Sequence, residues 1–239
     1  MKLIITENYE EMSKIAASYF ISEASKGYEK RVNFAITGGS TPKRMYEILE
    51  PIMKDNPIPY VHYYNFDEIP VKEEEGVTIT SLRNYFFSPC KIDDKNIEIF
   101  SEKNYTTYDK KIKDDGGLDA IMIGLGPDGH FCGNLSGTFD TFDLGCRSYS
   151  TRLTKKLEER IAFLCGGYDK MTNQTVTFGP TTVMNAKRII MIVNGTKKAE
   201  ILKKAIEGPI DVKVPSSILR LHPDFTIIAD KEAASLLNK

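Results

Sequence analysis

Short, β-rich apolar runs alternate with longer amphipathic stretches along this chain, and few architectures accept that rhythm. The runs fall at residues 3–6, 32–37, 61–65, 118–124, 160–165, 188–194 and 225–229. Several are continuous rather than alternating in polarity, as expected where a parallel strand is covered on both faces. Between them, residues 9–26 place Met12, Ile15, Ala16, Tyr19 and Phe20 on one side of a helix. Pro42 suits the first turn of a helix carrying Met45, Ile48 and Leu49. Residues 197–208 carry Ala199, Ile201, Leu202, Ala205 and Ile206 and stop at Gly208-Pro209. The pattern predicts an α/β fold: a doubly wound, mostly parallel, Rossmann-like sheet with helices on both faces. No internal repeat, low-complexity tract or linker interrupts it, so one domain over 1–239 is expected. The Gly-, Thr-, Ser- and Asp-rich segment 133–149 shows neither period, as a lid or binding loop would.

Composition narrows the class of partner. The 32 Lys+Arg against 33 Asp+Glu leave a net charge of -1, unlike the basic face of a nucleic-acid binder or a polybasic membrane anchor. The apolar runs are strand-sized, far below the ~20 residues of a membrane span. The start, Met1 to Glu7, has no signal-peptide core, so a cytoplasmic location is expected. Cys90, Cys132, Cys146 and Cys165 form no C-x-x-C pair and read as free thiols. The three histidines are far apart, so no metal site is expected.

In open α/β sheets ligands settle beyond the carboxyl ends of the strands, which directs attention to four junctions. Thr37-Gly38-Gly39-Ser40-Thr41-Pro42 combines a flexible backbone, two hydroxyls and a helix start. It suits a phosphate, and equally a plain capped turn. Asn65-Phe66-Asp67-Glu68 ends a strand with adjacent acids, of which at most one can face a ligand; the following 72–75 run reads as a solvated loop. Gly124-Leu125-Gly126-Pro127-Asp128-Gly129-His130 has the spacing of a dinucleotide loop, but no amphipathic helix follows. Its Asp128 and His130 can instead aim a carboxylate and an imidazole into one crevice, for proton transfer near neutral pH. At Asn194-Gly195-Thr196-Lys197-Lys198, a lysine in a first helical turn opposes the macrodipole unless an anion is near. Together the four describe a phosphorylated small molecule undergoing proton transfer.

These four motifs, with Leu221-His222-Pro223, resemble the glucosamine-6-phosphate deaminase/isomerase and 6-phosphogluconolactonase superfamily over nearly the whole chain. Asn65-Phe66-Asp67-Glu68 and the run 217–223 are more similar to the hexosamine-phosphate branch. The resemblance implies that Asp67 is the base moving a proton between C1 and C2 of an open-chain sugar. It implies that Asp128 and His130 assist ring opening, and that Gly38, Gly39, Ser40, Thr41 and Lys198 bind phosphate, with Arg83 a further phosphate partner. One position departs from the pattern: Leu135 stands where the deaminases have the glutamate that completes the ring-opening relay. Their phosphate-binding arginine also has no clear match, Arg152 and Arg160 being the substitutes in reach. The implied activity is an aldose–ketose isomerase or deaminase acting on a hexosamine 6-phosphate. A lactone hydrolase and a non-catalytic sugar-phosphate sensor are the alternatives. The expected partner is a small sugar phosphate, with neither nucleic acid nor membrane. No cofactor is implied by proton transfer or lactone hydrolysis, and a homo-oligomer is left open.

Overall fold

The computed structural model describes residues 1–238. In chain order its strands are β1 (Lys2–Thr6), β2 (Val32–Ile36), β3 (Val61–Asn65), β4 (Asp67–Glu68), β5 (Ile97–Glu98), β6 (Ala120–Gly124), β7 (Arg147–Ser150), β8 (Gln174–Thr177), β9 (Ile189–Val193) and β10 (Phe225–Asp230). The α-helices are α1 (Tyr9–Ala24), α2 (Lys43–Met53), α3 (Val77–Leu82), α4 (Tyr105–Asp114), α5 (Lys155–Cys165), α6 (Pro180–Met184) and α7 (Ala199–Glu207).

Seven strands form one sheet in the order β1-β10-β9-β6-β2-β3-β5, and every pairing in it is parallel. From β2 the chain steps outward through β3 to β5; from β6 it steps the other way through β9 to β10. The neighbours β2 and β6 therefore mark the point where strand order reverses, and a crevice opens at their carboxyl ends.

The continuous apolar runs are explained by burial on both faces. Phe34 and Ile36 of β2 and Ile190 and Ile192 of β9 pack with Met12 and Phe20 of α1 and Tyr46 and Leu49 of α2. The alternate residues Ala35, Tyr64, Ile121, Ile123, Ile189 and Met191 pack on the other face with Tyr108, Val183 and Leu202.

Residues 160–165 do not form the expected strand; they are the last turns of α5. The Thr154 hydroxyl caps this helix by accepting the Leu157 N–H at 3.1 Å, and Gly166 closes it with φ of 81°. Ile161 is 3% exposed while Phe163 is 84% exposed, and the inward set Leu157, Ile161 and Cys165 recurs at helical spacing. The strands β4, β8 and β7, unexpected from the sequence, make a small antiparallel sheet. It places Asp67 opposite Thr177 and so fixes the backbone that carries that acid. The helix expected from residue 197 begins as a 3-10 turn, Thr196–Lys198, before α7.

Candidate active site

A cavity of about 620 Å³ sits over the carboxyl ends of β2, β3, β6 and β9. The loop after β2 supplies one wall. Gly39 takes φ of 89°, a conformation that a side chain would strain. The Tyr9 hydroxyl donates to the carbonyls of Ser40 (3.3 Å) and Thr41 (3.0 Å), drawing them away from the cavity. Among the described residues, none of the backbone N–H groups of Gly38, Gly39, Ser40 and Thr41 has a protein acceptor. Four consecutive unused donors at the start of α2 form a concavity suited to an anion. The Thr41 hydroxyl donates to Asn194 Oδ1 at 2.9 Å, tying this loop to the one after β9. There the Gly195 N–H donates to both Asp230 oxygens at 3.0 Å, which sets the turn presenting Lys198. Lys198 Nζ donates to Leu125 O at 2.7 Å and lines the cavity. Burial lowers the pKa of its ammonium below the usual lysine range, Asp128 opposes that shift and Arg160 adds to it.

Asp67 and Glu68 divide as alternation on a strand dictates. Asp67 lines the cavity, and its Oδ1 accepts the Thr78 hydroxyl at 3.1 Å. Burial pushes its carboxyl up to about 6, against the Thr78 hydrogen bond and the pull of His130. Glu68 is 2% exposed and turned inward. Its carboxylate accepts the N–H groups of Ile69 (2.9 Å), Thr78 (2.7 Å) and Ile79 (3.0 Å) at the start of α3. It thereby holds the residue that orients Asp67. A Cβ on Gly76 would overlap the Glu68 carboxyl. Gly76→Ala is expected to cost about 1–3 kcal/mol through overpacking, read as a lower urea midpoint at unchanged m-value.

After β6, the Gly126 N–H donates to His130 O at 2.8 Å, closing a tight loop. Within it Asp128 Oδ1 holds His130 Nδ1, and Asp128 Oδ2 accepts the Ser136 N–H at 3.2 Å. Burial would raise the Asp128 carboxyl, but the His130 hydrogen bond and charge and the backbone donors bring it down to about 2. With Nδ1 so held, Nε2 is the nitrogen facing the cavity. Cys132, which the sequence reasoning did not single out, also lines it; burial pushes its thiol well above the usual range, so it stays neutral beside Asp67.

Arg83 is a correction to the expected set. Its guanidinium is engaged by Glu75 at 2.9 Å and Asp94 at 2.8 Å, and it does not line the cavity. Replacing it by Ala is expected to leave the substrate KM within about twofold, since exposed pairs of this kind contribute little. Arg160, one of the two substitutes in reach for the deaminases' phosphate-binding arginine, projects from α5 into the cavity, and no acidic partner holds it among the described residues. Arg152 instead pairs with Glu158 at 3.2 Å. His222 is buried, with its Nε2 on Ala186 O at 2.7 Å, a structural place away from the cavity. Thr78, Ser81 and Tyr85 were missed because they follow an acidic run read as a solvated loop. Among the described residues no cluster of metal-ligating side chains occurs, and no helix is long and apolar enough to cross a membrane.

The model of the family described as glucosamine-6-phosphate isomerases/6-phosphogluconolactonase matches residues 7–227. The chain belongs to this family. It is 31% identical to a glucosamine-6-phosphate deaminase of Thermoanaerobacter pseudethanolicus over 99% of this chain and 95% of the relative. A solved monomeric glucosamine-6-phosphate deaminase superposes with a TM-score of 0.84 at 26% identity, over 99% of this chain and all of that one. A 6-phosphogluconolactonase from Trypanosoma cruzi shares the fold, with a TM-score of 0.75 at 21% identity, over 100% of this chain and 97% of that one. The glucosamine-6-phosphate isomerase/6-phosphogluconolactonase family thus accounts for the sheet order and for the cavity at its reversal point.

Proposed function

We propose that this chain is a hexosamine-6-phosphate isomerase/deaminase working by acid–base proton transfer. The observation that carries the reading is one cavity with a half-buried carboxylate, Asp67, near the Asp128–His130 pair and a wall of unused backbone N–H donors. The phosphate sits on the N–H groups of Gly38, Gly39, Ser40 and Thr41, with Lys198 and Arg160 supplying charge. His130 Nε2 exchanges a proton with the sugar ring oxygen as the ring opens, and Asp128 holds the other nitrogen protonated. Asp67 then removes the C2 proton and returns it at C1. On a 2-amino aldose this transfer gives a ketimine, which water hydrolyses to a ketose phosphate and ammonia. A carboxyl titrating at about 6 is ionised at neutral pH and still basic enough to carry that proton. We place it in the cytoplasm as one domain over 1–239.

Incubation with glucosamine 6-phosphate in deuterated water tests the reading. Deuterium in the recovered sugar or ketose, or release of ammonia, is the expected result. Turnover of a sugar lactone phosphate with neither signal would replace it by the lactonase reading, which Leu135 favours because that chemistry needs no glutamate there. Arg160→Ala is expected to raise KM about 10–100-fold with a smaller change in kcat, as loss of a charged hydrogen bond to bound phosphate would.

A further inference from the structure

Arg147, the first residue of β7, is a half-buried ion, and among the described residues no carboxylate pairs with it. Its guanidinium bonds neutral acceptors instead. Nε donates to Asn134 Oδ1 at 3.3 Å, Nη1 to Thr138 O at 3.1 Å and Nη2 to Thr138 Oγ1 at 2.8 Å. Its central carbon lies 4.9 Å from the ring centroid of Phe139 and 5.4 Å from that of Tyr149. Holding a charge on neutral partners costs stability, so this fork suits a geometric task better than a stabilising one. The residues it grips flank one turn. The Thr138 N–H and hydroxyl both donate to Leu135 O, at 3.1 and 2.8 Å, which closes Leu135–Thr138. Gly137 takes φ of 80° in the third place, where a type II turn requires glycine. The second place is Ser136, whose N–H takes no part in the closing bond and donates to Asp128 Oδ2 at 3.2 Å. Asp128 Oδ1 holds His130 Nδ1, so separate donors fix the two carboxylate oxygens. Leu135 brings no polar side-chain atom to this pair, and the contact falls to the main chain of the next residue.

We propose that Arg147 is a positioning residue for His130: by gripping both sides of the 135–138 turn it holds the Ser136 N–H on Asp128, and Asp128 holds the imidazole. The proposal rests on the hexosamine-6-phosphate reading for what the imidazole does, not for where it sits. The base of the turn is itself fixed. The Gly133 N–H donates to Thr177 Oγ1 at 2.8 Å, and Asn134 Nδ2 donates to Phe178 O at 2.8 Å. Arg147 pairs with Thr177 across β7 and β8, so turn, fork and strand form one frame behind the catalytic pair. A carboxylate bonded through one oxygen turns about its Cβ–Cγ bond, and the ring bonded to it moves with it. A displacement of about 1 Å at a reacting group costs on the order of 10²-fold in rate.

Proline suits the second place of a type II turn and has no N–H, so Ser136→Pro removes the Asp128 contact and keeps the turn. Arg147→Met fills the guanidinium's space and releases the turn instead. Each is expected to lower kcat on glucosamine 6-phosphate about 10–100-fold, with KM within about twofold. The double variant is expected to match the worse single variant within about twofold, because both changes remove one shared contact. NMR of the histidine rings gives a readout that needs no turnover. The His130 ring ¹⁵N resonances, identified by their absence from His130→Gln, are expected to shift in the same direction in both variants. Arg147→Lys keeps the charge but cannot span Asn134 and Thr138 together; it is expected to share the defect and serves if the Met variant does not fold. Full kcat in Ser136→Pro, unshifted His130 resonances, or defects that multiply in the double variant would overturn the proposal. A wild type that turns over no glucosamine 6-phosphate would instead sink the hexosamine-6-phosphate reading, and the ring resonances would still decide how His130 is held.

Discussion

Asp67→Asn is expected to lower kcat by about 10²–10⁴-fold, or about 3–5 kcal/mol of barrier, with KM nearly unchanged. The amide keeps the shape and still accepts the Thr78 hydroxyl, but it cannot take the C2 proton. The phosphate site proposed above, residues 38–41 and Lys198, lies on the other wall, so binding is expected to survive. Steady-state kinetics with a coupled ammonia assay reads both quantities. The same carboxyl predicts the acid limb of the pH profile. Its titration is raised by burial from the ordinary 3.8 to about 6, so the ionised, active form is lost as pH falls through about 6. Activity is expected to fall tenfold per pH unit below that point and to be level above it until another group intervenes. For stability the sign is opposite: the folded state binds the proton more tightly than the unfolded one, so this group favours folding at acid pH. That contribution declines as pH rises from about 4 to about 6. An acid limb near 4 would remove Asp67 from the role of base.

Gly126→Ala is expected to cost about 10²-fold in kcat/KM without touching a reacting group. A Cβ at residue 126 would overlap the His130 ring, so the imidazole must move. Displacement of a catalytic group by about 1 Å carries a penalty of this order. The ring cannot swing freely, because Nδ1 is tied to Asp128 and the His130 carbonyl is tied to the residue 126 N–H. The expected signature is a lower kcat at preserved phosphate affinity, measured beside His130→Gln. Ring-opening assistance would account for a shared defect. A fully active Gly126→Ala would show that His130 is not held where the chemistry needs it.

The parts of the site that follow a strand directly were legible, because strand ends, glycines and helix starts are local signals. The loop at residues 38–41, Asp67 after β3 and the Asp128–His130 loop after β6 all lie where the alternation pattern put them. Residues 160–165 were misjudged because a six-residue apolar run fits a buried strand or half of an amphipathic helix equally. Thr154 and Gly166, which cap the helix, lie outside that run. Arg160 was one of two substitutes in reach for a phosphate-binding arginine, but a strand at 160–165 gave it no reason to face the cavity; as a residue of α5 it does. Arg83 failed for the opposite reason: similarity placed it, but Glu75 and Asp94 hold its guanidinium elsewhere, and such pairing depends on tertiary contacts. The strands β4, β7 and β8 are too short to announce themselves, and β4 is defined only by its partner.

The pairing of β1 with β10, and of Gly195 with Asp230, has a consequence for how the protein comes into being. The turn that presents Lys198 is locked by a residue of the last strand. That strand in turn lies between β9 and the first strand, more than two hundred residues earlier. A nascent chain still lacking residue 230 can build much of the sheet around β2, β3 and β6, yet it cannot lock the turn that carries Lys198 to the cavity. Competence therefore arrives late, after a long-range closure of high contact order, and folding should be slow beside that of a helical protein of equal length.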